Sequence, residues 1–248
     1  MRVESRRTPY LILFLLLFNL GVASADSAAP TTTVRYMALG DSLAAGYKAV
    51  PATNGYVYLL YRSGAIAPVR SLLFANAGVP AVTSAQVLAY QVPQAVEAFK
   101  PDVITLSVGG NDLLSILQGA DAGTVLANFQ TNLVAILQRL RTELPQTKIY
   151  ISNLYTIPQI AGADQVVPVF NRIVAQVAAA FAVPVADVYS AFLGRPELLL
   201  INRPGYAADE VHPTNAGYRV MAQAFARLMS DGEKEWECDK SRGRCNAE

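Results

Sequence analysis

The chain has 248 residues, a formal net charge of +1, one histidine and two cysteines, and 52% of its residues are hydrophobic. That length buries one substantial core and is short for two, while near-neutrality argues against a nucleic-acid or anionic-membrane partner. Two cysteines and one distant histidine do not supply a tetrahedral metal set.

At the N-terminus, Arg2, Arg6 and Arg7 precede the apolar run Leu11–Val22 and then "ASA", Ala23–Ala25. This reads as a secretory signal peptide cleaved after Ala25. The run is well short of the roughly 20 apolar residues that span a bilayer, and Asn19 and Gly21 interrupt it. The expected mature chain, Asp26–Glu248, is exported, carries a formal charge of −1 and has no stable membrane anchor.

Beyond the leader, short β-branched and apolar runs alternate with segments of helical period, the pattern of parallel strands joined by crossover helices. The predicted elements are a strand "VRYMALG" from Val34, a strand "LLFANAG" from Leu72 and a helix over Ser84–Phe99. A strand "DVITLSVG" from Asp102, a helix over Thr124–Leu144 and a strand "KIYISNLY" from Lys148 follow. The series ends with a helix over Val166–Phe181, a strand "VPVADVY" from Val183 and a helix over Thr214–Met229. The bulky apolar strands fit a sheet covered on both faces. The expected architecture is a single three-layer α/β domain over residues 26–230, with a mainly parallel, flavodoxin-like five-stranded sheet. Residues 231–248 form a charge-dense tail that reads as a solvated extension, in which Cys238 and Cys245 are expected to close a small local disulfide in an exported protein.

In sheets of this kind ligands bind outside the carboxyl ends of the strands, and three motifs fall there. "GDSLAAGY", Gly40–Tyr47, follows the first strand and presents Ser42, although Asp41 or Ser42 also serves as a helix cap. After the second strand comes "NAGVPAVTS", Asn76–Ser84, whose backbone N–H groups can reach the same crevice. "GGND", Gly109–Asp112, follows the third, with glycines for a tight bend and Asn111 able to aim its amide at the same edge. Near the end, "DEVHPTNAGY" carries His212, three residues after Asp209 and before Pro213 and Thr214, which open the last helix. A carboxylate at that spacing can hold the imidazole Nδ1–H and leave Nε2 to take a proton from a serine. Nucleophile, base, orienter and oxyanion donors are the parts needed for acyl transfer.

In these motifs and their order the chain resembles the SGNH, or GDSL-type, family of serine esterases and lipases. The resemblance implies Ser42 as nucleophile, Asp209 and His212 as acid and base, and an oxyanion hole from the Ser42 N–H, a backbone N–H after the second strand and Asn111. It also implies no metal or organic cofactor and an ester substrate. Where the family usually shows a glycine shortly before a threonine, the register ending at Thr83 places Ala81, with Gly78 the other choice. An alanine there still donates its N–H provided φ is negative, and its methyl is expected to narrow the crevice. An α/β-hydrolase is the nearest rival, but that fold sets its serine in Gly-x-Ser-x-Gly and its acid well upstream of its histidine.

Asp187 is read as the cap of a short segment after the fifth strand, with a place near the crevice as the alternative. Tyr47, Tyr56, Tyr58, Tyr61 and the loop "YTIPQIAGADQVVPVF" from Tyr155 either line an acyl pocket or pack as ordinary amphipathic aromatics and apolars. The expected function is ester hydrolysis through an acyl-serine. An acyltransferase using the same intermediate and a non-catalytic binding protein on the same scaffold are the alternatives.

Overall fold

The computed structural model describes residues 33–208 and 210–242, the last twelve by their backbone alone. Five strands, β1 (Val34–Gly40), β2 (Leu72–Asn76), β3 (Val103–Ser107), β4 (Lys148–Ser152) and β5 (Val185–Ala186), pair in the order β2-β1-β3-β4-β5, all parallel. The first four begin within one residue of the predicted starts. β5 is only two residues long because Pro184 has no N–H to give a ladder and Asp187 already turns the chain into a helix.

The helices are α1 (Ser42–Ala45), α2 (Tyr56–Ser63), α3 (Ser84–Gln86), α4 (Gly110–Leu117), α5 (Ala122–Glu143), α6 (Ala163–Ala180), α7 (Val188–Phe192) and α8 (Asn215–Arg242). Strand alternation sends Met37 and Leu39 of β1 to one face, where α5 and α6 pack with Phe129, Leu133, Phe170 and Val174. It sends Tyr36 and Ala38 to the other, against α2 and α8 through Tyr56, Leu60, Tyr218 and Phe225. Helix α8 runs well past the predicted end at Met229, because the glutamates and lysines of the tail are good helix formers. The tail therefore starts as helix; Cys245 and the segment before residue 33, with the expected leader, lie outside the described residues.

The helix expected over Ser84–Phe99 keeps its limits but not its pitch. A capping box between Thr83 and Gln86 starts α3, and two π-helical segments, Val87–Gln91 and Gln94–Phe99, complete it on either side of Pro93. Single π turns mark functional places more often than chance. Here Gln91, buried, accepts from the Gly40 N–H through Oε1 at 2.7 Å and donates through Nε2 to the Gly40 carbonyl at 2.8 Å. One side chain thus acts as a neighbouring strand for the last residue of β1.

Gln91→Leu is expected to strand the Gly40 N–H and cost about 2 kcal/mol of stability, the usual penalty for an orphaned buried donor. Urea denaturation measures it; an unchanged midpoint would show that the Gly40 backbone finds another partner.

Candidate active site

Strand β1 ends against β3, where the Asp41 N–H donates to the Ser107 carbonyl at 3.2 Å. A Cβ on Gly40 would stand 2.0 Å from that same oxygen, and Gly40 has φ +140°, so only glycine fits. The chain then turns directly into α1. Asp41 caps it, accepting from the Leu43 N–H at 3.0 Å, and Ser42 becomes the first helical residue. Both expectations for "GDS", cap and presented hydroxyl, hold at once.

His212 reaches Ser42 from the far end of the chain, with Nε2 3.0 Å from Oγ. Its backbone is fixed by the Leu200 N–H, which donates to the His212 carbonyl at 3.0 Å, and by the Leu199–Pro213 bridge. The Tyr155 hydroxyl donates to the Val211 carbonyl at 2.7 Å, and the Tyr47 ring lies edge-on to the imidazole at 4.9 Å. The carboxylate on Nδ1 is that of Glu210, whose Oε1 bonds both the ring nitrogen and, at 3.1 Å, the His212 N–H. Asp209, given the orienting role by the sequence, lies outside the described residues. Lys48 Nζ stands 3.6 Å from the other Glu210 oxygen. Burial works to raise the Glu210 pKa, but the contacts with His212 and the Lys48 charge hold it below its usual value.

Three residues that line the cavity at Ser42 carry donors. Asn111 opens α4 after the Gly109 turn, and its Nδ2 donates to the Val82 carbonyl at 2.8 Å, which orients the amide and leaves one hydrogen unused. Among the described residues, neither the Ser42 nor the Ala81 N–H has a hydrogen-bond partner. Gly78 has a different task. Its N–H is taken by Asn76 Oδ1 at 2.9 Å, and a Cβ there would lie 2.5 Å from the Ala45 nitrogen, so it lets the β2 loop close on α1. Ala81 has φ +66°, not the negative φ expected, so it holds a left-handed conformation suited to glycine.

Ser42, Ala81, Asn111 and His212 line one cavity, together with Tyr47 and apolar residues of the loop after β4. Tyr56 is buried in the core, and Tyr58 and Tyr61 pack around Phe74. Asp187 caps α7 by accepting from the Ser190 N–H at 3.0 Å. No cluster of three or more metal-ligating side chains occurs among the described residues. Below the site, burial is the main force pushing the Asp41 carboxyl up to about 7. The Leu43 and Gly110 N–H groups oppose it, and the nearby Asp112 charge adds to it. Asp112 is itself buried and takes the Ser84 N–H at 2.9 Å and the Ser84 hydroxyl at 2.6 Å. Sequence reasoning missed Glu210, Lys48 and Gln91; the adjacency of Glu210 to Asp209 was the only signal available for the first.

Residues 38–220 match the model of the GDSL-like lipase/acylhydrolase family. The chain belongs to that family. It is 32% identical over 208 residues to the spore germination lipase LipC of Bacillus licheniformis, an alignment covering 77% of this chain and 94% of that one. Among solved structures, the lipase Lip_vut3 from a goat rumen metagenome is 28% identical with a TM-score of 0.65, covering 79% of this chain and 97% of that one. The acetylxylan esterase Axe2 of Geobacillus stearothermophilus shares the fold at 21% identity and a TM-score of 0.64, over 80% and 94% of the two chains. This GDSL-family protein is an esterase or lipase-type hydrolase.

The buried Asp41 gives its stability a pH dependence of unusual sign. The folded carboxyl keeps its proton to about pH 7, whereas the unfolded one releases it near 3.8. The native state binds more protons across that interval, so Asp41 lowers stability as pH rises through it. Asp41→Asn retains an acceptor for Leu43 and removes the titration. Its stability relative to wild type is expected to improve by about 1 kcal/mol per pH unit between about pH 5 and 7 and then level off. Urea midpoints at several pH values check this, and parallel curves for the two proteins would refute it.

Proposed function

We propose that this GDSL-family hydrolase is exported through its N-terminal leader and cleaves carboxylic esters through an acyl-serine intermediate on Ser42. The observation that carries the reading is the 3.0 Å contact between Ser42 Oγ and His212 Nε2 at the mouth of an apolar cavity. Ser42 Oγ attacks the ester carbonyl carbon while its proton passes to Nε2. The oxyanion forms beside the N–H groups of Ser42 and Ala81 and the free amide hydrogen of Asn111. The tetrahedral intermediate collapses, the C–O bond to the alcohol breaks, and the alcohol leaves with the proton from Nε2. Water then gives a proton to Nε2 and attacks the acyl carbon, the acid departs, and Ser42 regains its proton.

A serine-directed organophosphonate is expected to add once, on the peptide containing "GDSLAAGY", and Ser42→Ala is expected to abolish labelling and turnover with the fold intact. Esterase activity that survives Ser42→Ala would remove the mechanism.

His212 must be held through Nδ1 for this chemistry, and we assign that role to the acidic pair before it, with Glu210 as the group in contact. Replacing both acids, as Asp209→Asn with Glu210→Gln, is expected to lower kcat by about 10⁴-fold, the scale of amide replacement in other triads. Of the two single variants, Glu210→Gln is expected to lose more. A full loss in Asp209→Asn with Glu210→Gln near wild type would return the role to the Asp-x-x-His spacing of the family.

A further inference from the structure

The cavity at Ser42 has a volume of ≈ 240 Å³ and is aliphatic away from its mouth. Leu113, Leu114 and Leu117 of α4 form one wall, and Ile157, Ile160 and Val167 form the other. Its carboxyl, amide and imidazole side chains, Asp41, Asn111 and His212, belong to the catalytic end. At the other end Leu117 meets the start of α6: a Cβ on Gly162 would stand 3.3 Å from Leu117 Cδ2. Gly162 has φ +84° and caps α6, so the wall there is held by backbone as well as by side chains.

These dimensions suit one kind of acyl group. From Asn111 to Leu117 the helix rises about 9 Å at 1.5 Å per residue. An extended alkyl chain advances about 1.3 Å per carbon at ordinary bond lengths and angles, so roughly seven carbons span that distance. The cavity volume, far above what one water needs, agrees with a chain rather than an acetyl group. An acetyl group would leave most of this apolar wall uncovered, and a chain much longer than ten carbons would meet Leu117 and Gly162. Resting on the esterase reading above, we infer that the acyl group of the substrate is an unbranched chain of about six to ten carbons lying along α4, its length limited where Leu117 meets Gly162 and Ala163.

Chromogenic esters of graded length, from acetyl to palmitoyl, test this on the purified protein. Each buried methylene is worth roughly fourfold, so kcat/KM is expected to climb at least 10²-fold from acetyl to octanoyl and to fall beyond about decanoyl. Ala163 lines the cavity and is buried. Ala163→Leu is expected to cut the octanoyl-to-butanoyl ratio at least tenfold, and Leu117→Ala is expected to move the optimum to longer chains. Should Ala163→Leu fail to fold, the wild-type profile and Leu117→Ala still decide. A wild-type rate that is greatest with acetyl and declines steadily would overturn the inference while leaving the esterase reading in place. Unchanged optima in both folded variants would overturn the assignment of the limiting wall. No turnover of any ester, with no phosphonate label on Ser42, would remove both readings together.

Discussion

The close approach of β1 to β3 at their carboxyl ends is the constraint on which the site depends. With Gly40 opposite Ser107 and no room for a Cβ between them, the chain leaving β1 must turn at once, and the turn delivers Ser42 over the sheet edge. In the order β2-β1-β3, the connections from β1 and β3 diverge to opposite sides, which opens the crevice between them. Asn111 enters that crevice from β3 and Ala81 from the loop after β2. Gln91 secures the last residue of β1 from behind, so Ser42 follows a strand end whose hydrogen bonds are satisfied on both sides.

Two buried carboxyls lie beneath this arrangement, and neither touches Ser42 Oγ. Asp112 spends its oxygens on Ser84, joining α4 to the start of α3, and Asn132 of α5 donates to the same Ser84 hydroxyl at 3.0 Å. Asp41 holds the first turn of α1. Burial takes the Asp41 carboxyl out of water and the nearby Asp112 adds to the cost of ionising it, so the protein leaves Asp41 readily protonated. These two carboxyls therefore order backbone around the site and leave Ser42 Oγ to His212.

Much of this was legible in the sequence because the periodicities located the strands and the strand-end rule located the site. Ser42, Asn111 and His212 fall where three separate motifs placed them, and Ala81 lines the same cavity. What was not legible depends on contacts between distant residues. The positive φ at Ala81 runs against the local preference of alanine, so no residue preference reveals it. Glu210 was overlooked because the three-residue spacing of Asp209 was read as sufficient, while in non-helical backbone a carboxylate two residues before an imidazole can also reach it. Lys48 lies 162 positions from its partner, and helical period encodes neither the π segments beside Pro93 nor the bonds of Gln91 to β1.

The pairing of Leu199 with Pro213, and of the Leu200 N–H with the His212 carbonyl, closes the stretch between them into a loop pinned at its base. The His212 imidazole sits on the pin, while residues 201–208 swing out over the surface. None of those residues lines the cavity at Ser42, so the length or composition of that excursion can change without moving the imidazole relative to Ser42. The fold thus fixes His212 apart from a surface loop free to diversify, and it does so with the two hydrogen bonds of that bridge, from the Leu200 N–H to the His212 carbonyl and from the Thr214 N–H to the Leu198 carbonyl at 2.7 Å.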